Sequence, residues 1–453
     1  MNRHGYIYNA GHQITRQTRT DSGYVNYTSD DGAELQTAST FTSGNVAIPA
    51  ENYGFAYDPG MNMLRRTNNA STTVYPVNPL NQVTGGLATY SYDRRGNRTS
   101  TSNYENYTYD EENQLVQYTI QPGGSDYPNF RRTDFAYDAR LRLRIRKEYI
   151  WVGTSGGAWM LSTETRYLYD GMRVIQERDS SNSIQVSYTR GPDLSGSFEG
   201  AGGIGGLLAR TAHSGVNKLT FAHAFYHADR RGNVTYLLNS ANTMGATYKY
   251  DPFGRTLSIS GTLAPANVYR FSSKEWCATS GLYYYGYRFY DSLTQRWMNR
   301  DRIRFIELVD GPNLLTFVRN QPIEKFDSFG TTVYECCRKV DGTGKLVAIG
   351  NALGARHCWL RTDSKEAGMG PDNDSPLPSY PCGIKTRIND HSKEKADGCN
   401  QVYYMDEDCV NSALDIGAAT GKWGPLNNCN TLIGAIREKC YRGPRVYIIP
   451  TGY

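Results

Sequence analysis

The chain has 453 residues, a formal net charge of +5, 36 Tyr, 46 Gly and 6 Trp. So small a charge leaves no electrostatic footprint for nucleic acid, and no run of about 18 apolar residues supplies a membrane span. Length alone allows about three domains of ~150 residues, and the Gly- and Tyr-rich composition, with no sustained helical period, points to large all-β units.

The first residues, Met1 to Gln13, carry no apolar segment and no small-residue cleavage site, so no signal peptide is read there. The chain starts in mid-repeat, as expected of a fragment of a longer gene product.

From residue 1 to 200 a Tyr-Asp pair punctuates the sequence: Tyr57-Asp58, Tyr92-Asp93, Tyr109-Asp110, Tyr137-Asp138 and Tyr169-Asp170, with Tyr250-Asp251 further on. Alternating aromatic and polar residues lead into each pair, two to four turn residues follow, and alternation then resumes. That is the signature of a β-hairpin. At Asp93-Arg94-Arg95-Gly96 the Asp side chain can cap the turn and Gly96 supplies a positive φ. Self-similarity of this kind marks an array whose units stack to bury their faces. The Tyr residues are expected to form cross-strand aromatic pairs; carbohydrate stacking is the functional alternative.

Between 201 and 330, Gly200-Ala201-Gly202-Gly203-Ile204-Gly205 matches a dinucleotide fingerprint. No strand–helix unit surrounds it, so a turn is the better reading. His227 and Asp229, two apart on an expected strand, would face one side as a polar contact. The densest aromatic run follows: Tyr283, Tyr284, Tyr285, Tyr287, Phe289 and Tyr290 around Gly286, with Trp297 beyond. A strand, tight bend and strand packed into a core are expected.

The stretch from Tyr269 to Gly330 resembles the RHS-repeat-associated core domain. The resemblance rests on Tyr269-Arg270-Phe271-Ser272, Lys274-Glu275, Ser280-Gly281-Leu282-Tyr283-Tyr284-Tyr285-Gly286, Arg288-Phe289-Tyr290-Asp291 and Arg296-Trp297. It continues through Arg300-Asp301, Asn313-Leu314, Asn320, Pro322 and Asp327 to Gly330. The upstream Tyr-Asp units resemble the YD repeat. The family implies an antiparallel β-strip winding into a shell, here with too few units to close. Three prolines of the family pattern are replaced, by Ser292, Arg302 and Ser328, and a glycine by Arg304. In toxin-type relatives, aspartates near the end of the core promote self-cleavage. The matching positions are Asp301 and Asp327, with the cut expected just after Gly330. An aspartyl mechanism needs two carboxylates sharing a proton, and with both Asp-Pro pairs lost no cleavage is expected.

Residues 331–453 form a third segment of different composition. Eight of the nine cysteines lie there: Cys336, Cys337, Cys358, Cys382, Cys399, Cys409, Cys429 and Cys440. Such crowding reads as a disulfide framework made in an oxidising compartment. No CxxC pair exists, so no zinc site is expected, and no cofactor is implied. Strands are expected over 333–340, 345–349, 358–361 and 445–450, and a helix over 432–440, giving an α+β module. Cys429 precedes that helix, where the dipole favours a thiolate, and His357 opens a strand that could present an imidazole to it. A Cys–His pair is the minimum nucleophilic set. The order weakly resembles permuted papain-like (NlpC-type) hydrolases, with Asp363, Asp374 and Asp390 all open as a third member. A disulfide-stapled binding module and another toxin activity stay open beside the thiol hydrolase.

The sequence thus reads as a mainly β chain in three parts: a YD-repeat strip over 1–200, a core over 201–330 and a Cys-rich module over 331–453. The resemblance implies a bacterial carrier that presents or delivers a variable C-terminal effector. The alternative is a cell-surface adhesion protein without enzymology. The expected partners are a target cell or cell-surface component and a cognate immunity protein. The expected location is extracellular or at the cell surface, with any export signal on a preceding part of the gene.

Overall fold

A computed structural model describes residues 3–121, 127–196, 198–215, 220–300 and 313–328. Beyond these it describes the stretches 334–339, 356–361, 366–371, 385–390, 398–401, 410, 413–414, 416, 418–422, 432–433 and 435–436. The chain divides into two compact units. One comprises Met1–Leu194, Gly202–Asp301 and Asn313–Gly330; the other comprises Ser195–Ala201, Arg302–Pro312 and Thr331–Tyr453.

Among the described residues the first unit is built of antiparallel β-strands with short 3-10 turns between some of them. Seven strands between Gly5 and Val74 form one open sheet in chain order, and fourteen strands between Tyr90 and Ser260 form a second. The expected strip is therefore broken once, between residues 75 and 89. Pro76 and Pro79 lack the N–H that a ladder needs, and Gly85-Gly86 weakens strand pairing. A single bridge, Val77 to Val83, spans that stretch. The second sheet runs on through residue 200: the strand Ile184–Arg190 pairs with Leu207–Ser214 across the glycine-rich turns. No helix follows those glycines, as expected for a turn.

The Tyr-Asp turns share one geometry except at Asp170, which pairs directly with Arg173 across a two-residue loop. At Asp93, the Asp93 N–H donates to the Asn97 carbonyl at 3.0 Å and the Gly96 N–H to the Asp93 carbonyl at 3.1 Å. Asp93 Oδ1 accepts from the N–H groups of Arg95 and Asn97, both at 2.9 Å. Gly96, in the fourth position, has φ +91°. The same side-chain bond to the fifth residue recurs at Asp58, Asp110, Asp138, Asp179, Asp229 and Asp251. The strand register shifts at the Tyr, for instance between Ser91 and Tyr92 and between Ala136 and Tyr137. This is a type I turn closed by a left-handed residue and a bulge, which matches the strand twist. Asn9, Asn78 and Asn239 build the same turn, an amide oxygen replacing the carboxylate. Asp229 therefore corrects the expected His227/Asp229 strand pair. The strand Thr220–Ala228 ends before it, and its carboxylate is engaged by the turn's own N–H groups.

A third sheet, of four short strands from Glu275 to Trp297, carries the aromatic run. Gly286 bends the chain between Tyr283–Tyr284 and Phe289–Asp291 at φ +111°. This stretch fills the cores of both large sheets. Phe271, Tyr283, Tyr285, Tyr290, Trp297 and Phe317 pack with Val25, Leu35, Tyr53 and Phe55 of the first. Tyr269, Leu282, Phe289 and Met298 pack with Tyr118, Phe135, Leu143 and Tyr167 of the second. The Tyr290 and Phe317 rings stack at 4.2 Å, and Tyr285 meets Trp297 edge-on at 5.1 Å. Each aromatic removes roughly 150–250 Å² from water, worth on the order of 4–6 kcal/mol before entropy is counted.

The second unit holds a six-stranded antiparallel sheet. Its strands Tyr334–Lys339 and Arg356–Arg361 coincide with two of the expected ones. Leu432, Ile433, Ala435 and Ile436 are helical, as the spacing predicts, with Ile433 and Ile436 buried against Ala367, Ile388 and Leu414. The expected strands over 345–349 and 445–450 lie outside the described residues.

Candidate functional site: the seat and exit of the core stretch

The polar side chains of the core stretch meet the repeats at buried ion pairs and along one row of turns. Arg98, on the strand after the Asp93 turn, donates to Asp291 at 2.6 Å and to Thr294 at 2.9 Å; both ionised side chains are nearly solvent-free. Arg146 pairs with Glu275, which also accepts from the Tyr167 hydroxyl at 2.6 Å. Arg66 reaches Asp251 at 3.2 Å and so ties the first sheet to the last Tyr-Asp turn. Burial pushes the Asp251 and Glu275 carboxyls upward, and the adjacent guanidinium opposes it in each case.

Other contacts read the turns themselves. Arg296 donates to Asn62 Oδ1 at 2.7 Å and to the Asn81 carbonyl at 2.6 Å. Held by neutral oxygens in a buried site, it is pushed down to about 10, chiefly by burial. Asn313 donates to Asn62 and to the Gly60 carbonyl, Asn299 to the Asn113 carbonyl, and Asn320 to Glu34 and the Met61 carbonyl. The Tyr283 and Tyr290 hydroxyls donate to the carbonyls of Gly254 and Phe253 in the Asp251 turn. One edge of the array is thus a continuous docking surface for the core.

The chain leaves this seat at Asp327 and Ser328. Arg288, stacked 4.1 Å over the Trp297 ring, lies 3.5 Å from Asp327. Lys274 Nζ donates to the Ser328 carbonyl at 2.5 Å and to the Gly202 carbonyl at 2.9 Å. Gly202 has φ +61°, and a Cβ there would stand 1.8 Å from the Ser328 oxygen. Only glycine permits this approach. The arrangement grips the exit backbone with a cation and polarises one carbonyl of it.

Of the residues expected to act, Asp327 lies at this exit beside a guanidinium. Asp301 and Cys429 lie outside the described residues. His357 is in the strand Arg356–Arg361, opposite Arg338. Lys274 and Arg288 belong to the recognised motif, but their grip on the exit could not be read from it. Their partners lie 54 and 39 residues along the chain, and no local pattern encodes such a meeting.

No family model matches the chain. Curated relatives do. The tRNA3(Ser)-specific nuclease WapA of Bacillus spizizenii is 27% identical over 282 residues, 62% of this chain and 10% of the relative. Toxin subunit YenC1 of Yersinia entomophaga is 41% identical over 85 residues, 18% of this chain and 8% of that subunit. Among solved structures, a TcdB2-TccC3-TEV crystal structure aligns with 73% of this chain and 19% of its own at 18% identity and a TM-score of 0.39. These relatives are named as a nuclease and a toxin subunit, and the names describe those proteins. The chain spans about a tenth of the length of the curated relatives it matches. Among the described residues no helix is long and apolar enough to cross a membrane.

Proposed function

We propose that the strip and core form a carrier that presents or delivers the C-terminal module, residues 331–453, as an effector to a target cell. The observation that carries this reading is the exit. The core is locked by buried Arg–carboxylate pairs, and Lys274 holds the Ser328 carbonyl immediately before the module. A scaffold fixed on one side of a gripped backbone segment suits a module that must be carried and set apart. The names of the relatives, a nuclease and a toxin subunit, agree with such a role.

The effector in this proposal is a thiol hydrolase, with Cys429 as nucleophile and His357 as its base. Extracellular delivery and a cognate immunity protein belong to the same reading. The test is to produce the full chain in growing bacteria, in the cytoplasm and in the periplasm, and to count survivors. Growth arrest is expected, with loss of the arrest in Cys429→Ala and in His357→Ala. Arrest unchanged in both variants would leave a carrier with another toxin activity. No arrest in either compartment would favour the adhesion reading.

A further inference from the structure

The longest hairpin of the second sheet, strands Leu143–Val152 and Ala158–Asp170, changes character partway along. The change falls at the register shift between Glu148 and Tyr149. Before it, Arg146, Lys147 and Glu148 face Thr165, Glu164 and Thr163. Beyond it, no charged residue occurs between Tyr149 and Leu161. The rungs there are Tyr149–Leu161, Ile150–Met160, Trp151–Trp159 and Val152–Ala158. Successive rungs alternate faces, so the tip is apolar on both. On one face Trp151 lies 5.3 Å from Trp159 and 5.9 Å from Phe130, and Phe130 lies 5.3 Å from Tyr127. On the other, Ile150, Val152 and Met160 are 38%, 45% and 52% exposed.

An antiparallel sheet with one face on a core and the other in water is apolar on one face only. A groove or a partner sheet would cover one face of this ribbon and leave the other in water. An apolar solvent covers both faces at once. The side chains also sort by depth. Arg131 and Arg132 stand opposite Ile150 and Tyr149, at the base of the tip. The Trp and Tyr rings lie among and above them, amphipathic groups that favour the membrane–water interface. Depth is limited by the backbone. The second strand pairs onward only from Arg166, so the outer edge of residues 158–165 has no strand partner among the described residues. Hydrocarbon makes such an edge costly, whereas the headgroup region solvates it. Four residues at roughly 3.3 Å each would carry the tip about 13 Å beyond the register shift, enough to enter one leaflet boundary.

We propose that this hairpin tip is a membrane-docking element that inserts Ile150, Trp151, Val152, Trp159 and Met160 into the interface of a lipid bilayer. The test mixes the full chain with unilamellar vesicles of phosphatidylcholine and phosphatidylglycerol, 3:1, and measures the sedimented fraction. The chain sediments with vesicles, and brominated lipid quenches its tryptophan emission. The double variant Val152→Glu/Met160→Glu lowers the bound fraction at least tenfold with an unchanged melting curve. Phe221→Glu, equally exposed but on another hairpin, leaves binding intact. The proposal is overturned if the wild-type chain stays in the supernatant or both variants bind alike. It is also overturned if the tip variant changes only the oligomeric state in vesicle-free solution, which would make the tip a protein-docking surface. Should the double variant misfold, Val152→Thr/Met160→Thr replaces it. Absence of brominated-lipid quenching in the wild type is decisive in either case.

Discussion

The Tyr137 hydroxyl donates to the backbone carbonyl of Leu115 at 2.6 Å. Tyr137 enters one turn, and Leu115 leaves the preceding turn on the same edge of the sheet. The relationship repeats as Tyr57 to Leu35, Tyr92 to Val83, Tyr169 to Leu143 and Tyr250 to Val234, all between 2.8 and 2.9 Å. In each case the acceptor sits five residues after the start of the earlier turn. The Tyr of five of the Tyr-Asp pairs is therefore a stitch between successive turns, Tyr109 being the exception, and the Asp, except at Asp170, shapes its own turn. Ring pairing, as between Tyr107 and Tyr118 at 5.3 Å, accompanies the stitch without defining it.

Removing one stitch is the first test. Tyr137→Phe keeps the ring and deletes the donor, leaving the Leu115 carbonyl short of a partner. A loss of about 1 kcal/mol is expected, the usual net worth of one hydrogen bond, rising to about 3 kcal/mol if the carbonyl is left buried and dry. Urea unfolding of wild type and variant, compared at constant slope, measures it. Tyr109→Phe is the control. Its hydroxyl is buried with no hydrogen-bond partner, so the substitution is expected to be neutral or mildly stabilising.

Much of this was legible in the sequence because it is local. An acceptor at the first turn position and a left-handed residue at the fourth lie within one four-residue stretch, and the alternation flanking them is read directly. The turns that begin at Asn78, Asp179 and Asn239 escaped because no Tyr-Asp pair marks them. The amide oxygen does the same work, so the Tyr was the wrong punctuation to search for. The sequence also could not say which strip arginine meets which core acid. Arg98 and Asp291 are 193 residues apart, and several arginines and acids of similar local context compete for each role.

That pair carries the second prediction. Arg98 and Asp291 are both withdrawn from water, so removing one partner strands the other's charge. Asp291→Asn should cost about 3–5 kcal/mol. The paired replacement Arg98→Met/Asp291→Leu should cost less than the sum of the single changes, because neither charge remains. A double-mutant cycle by chemical unfolding reads the coupling, and strict additivity would mean the pair does not hold the core.

Acid should loosen the turns. Burial raises the Asp138 carboxyl, but hydrogen bonds from the Arg142 side chain and from backbone N–H groups outweigh it, and the group titrates below its ordinary 3.8 in the fold. A depressed carboxylate contributes stability above its unfolded value, and that contribution is lost as pH falls through the folded value. Asp138→Asn retains the Oδ1 acceptor and removes the charge. Wild type should exceed the variant in stability near neutral pH, and the gap should close below 3.8. Unfolding midpoints across that range give the comparison; a constant gap would assign the effect to shape alone.

In the second unit the backbone register sets Cys337 opposite Cys358 and Cys336 opposite Cys399. Directly opposed residues of antiparallel strands have Cα atoms about 4.5–5.5 Å apart, inside the roughly 4.4–6.8 Å range that a disulfide spans. Protein made in an oxidising compartment should carry these two bridges, each contributing about 2–4 kcal/mol. Non-reducing peptide mapping gives the connectivity directly. Recovery of Cys336 and Cys337 as free thiols, or bridged elsewhere, would refute the register-based assignment.

The exit from the core supplies the last prediction. Lys274 binds the Ser328 carbonyl and Gly202 lets that carbonyl approach, so two substitutions of opposite kind should release the same segment. Lys274→Met removes the grip. Gly202→Ala places a methyl group on the Ser328 oxygen and imposes a left-handed backbone on a residue that resists it. Both should raise the rate at which a protease cuts near residues 328–331, because cleavage follows the population of the opened segment when opening is fast. The untreated chain should keep its full 50.8 kDa in all three proteins, since Asp327 lies beside the Arg288 guanidinium and the Asp-Pro pairs are gone. Intact-mass spectra before and after brief proteolysis separate the outcomes. A stable C-terminal piece in untreated wild type, abolished by Asp327→Asn, would mean that the exit cuts itself and that the lost prolines were dispensable. Equal protease sensitivity in all three proteins would mean that the segment is held by something other than Lys274.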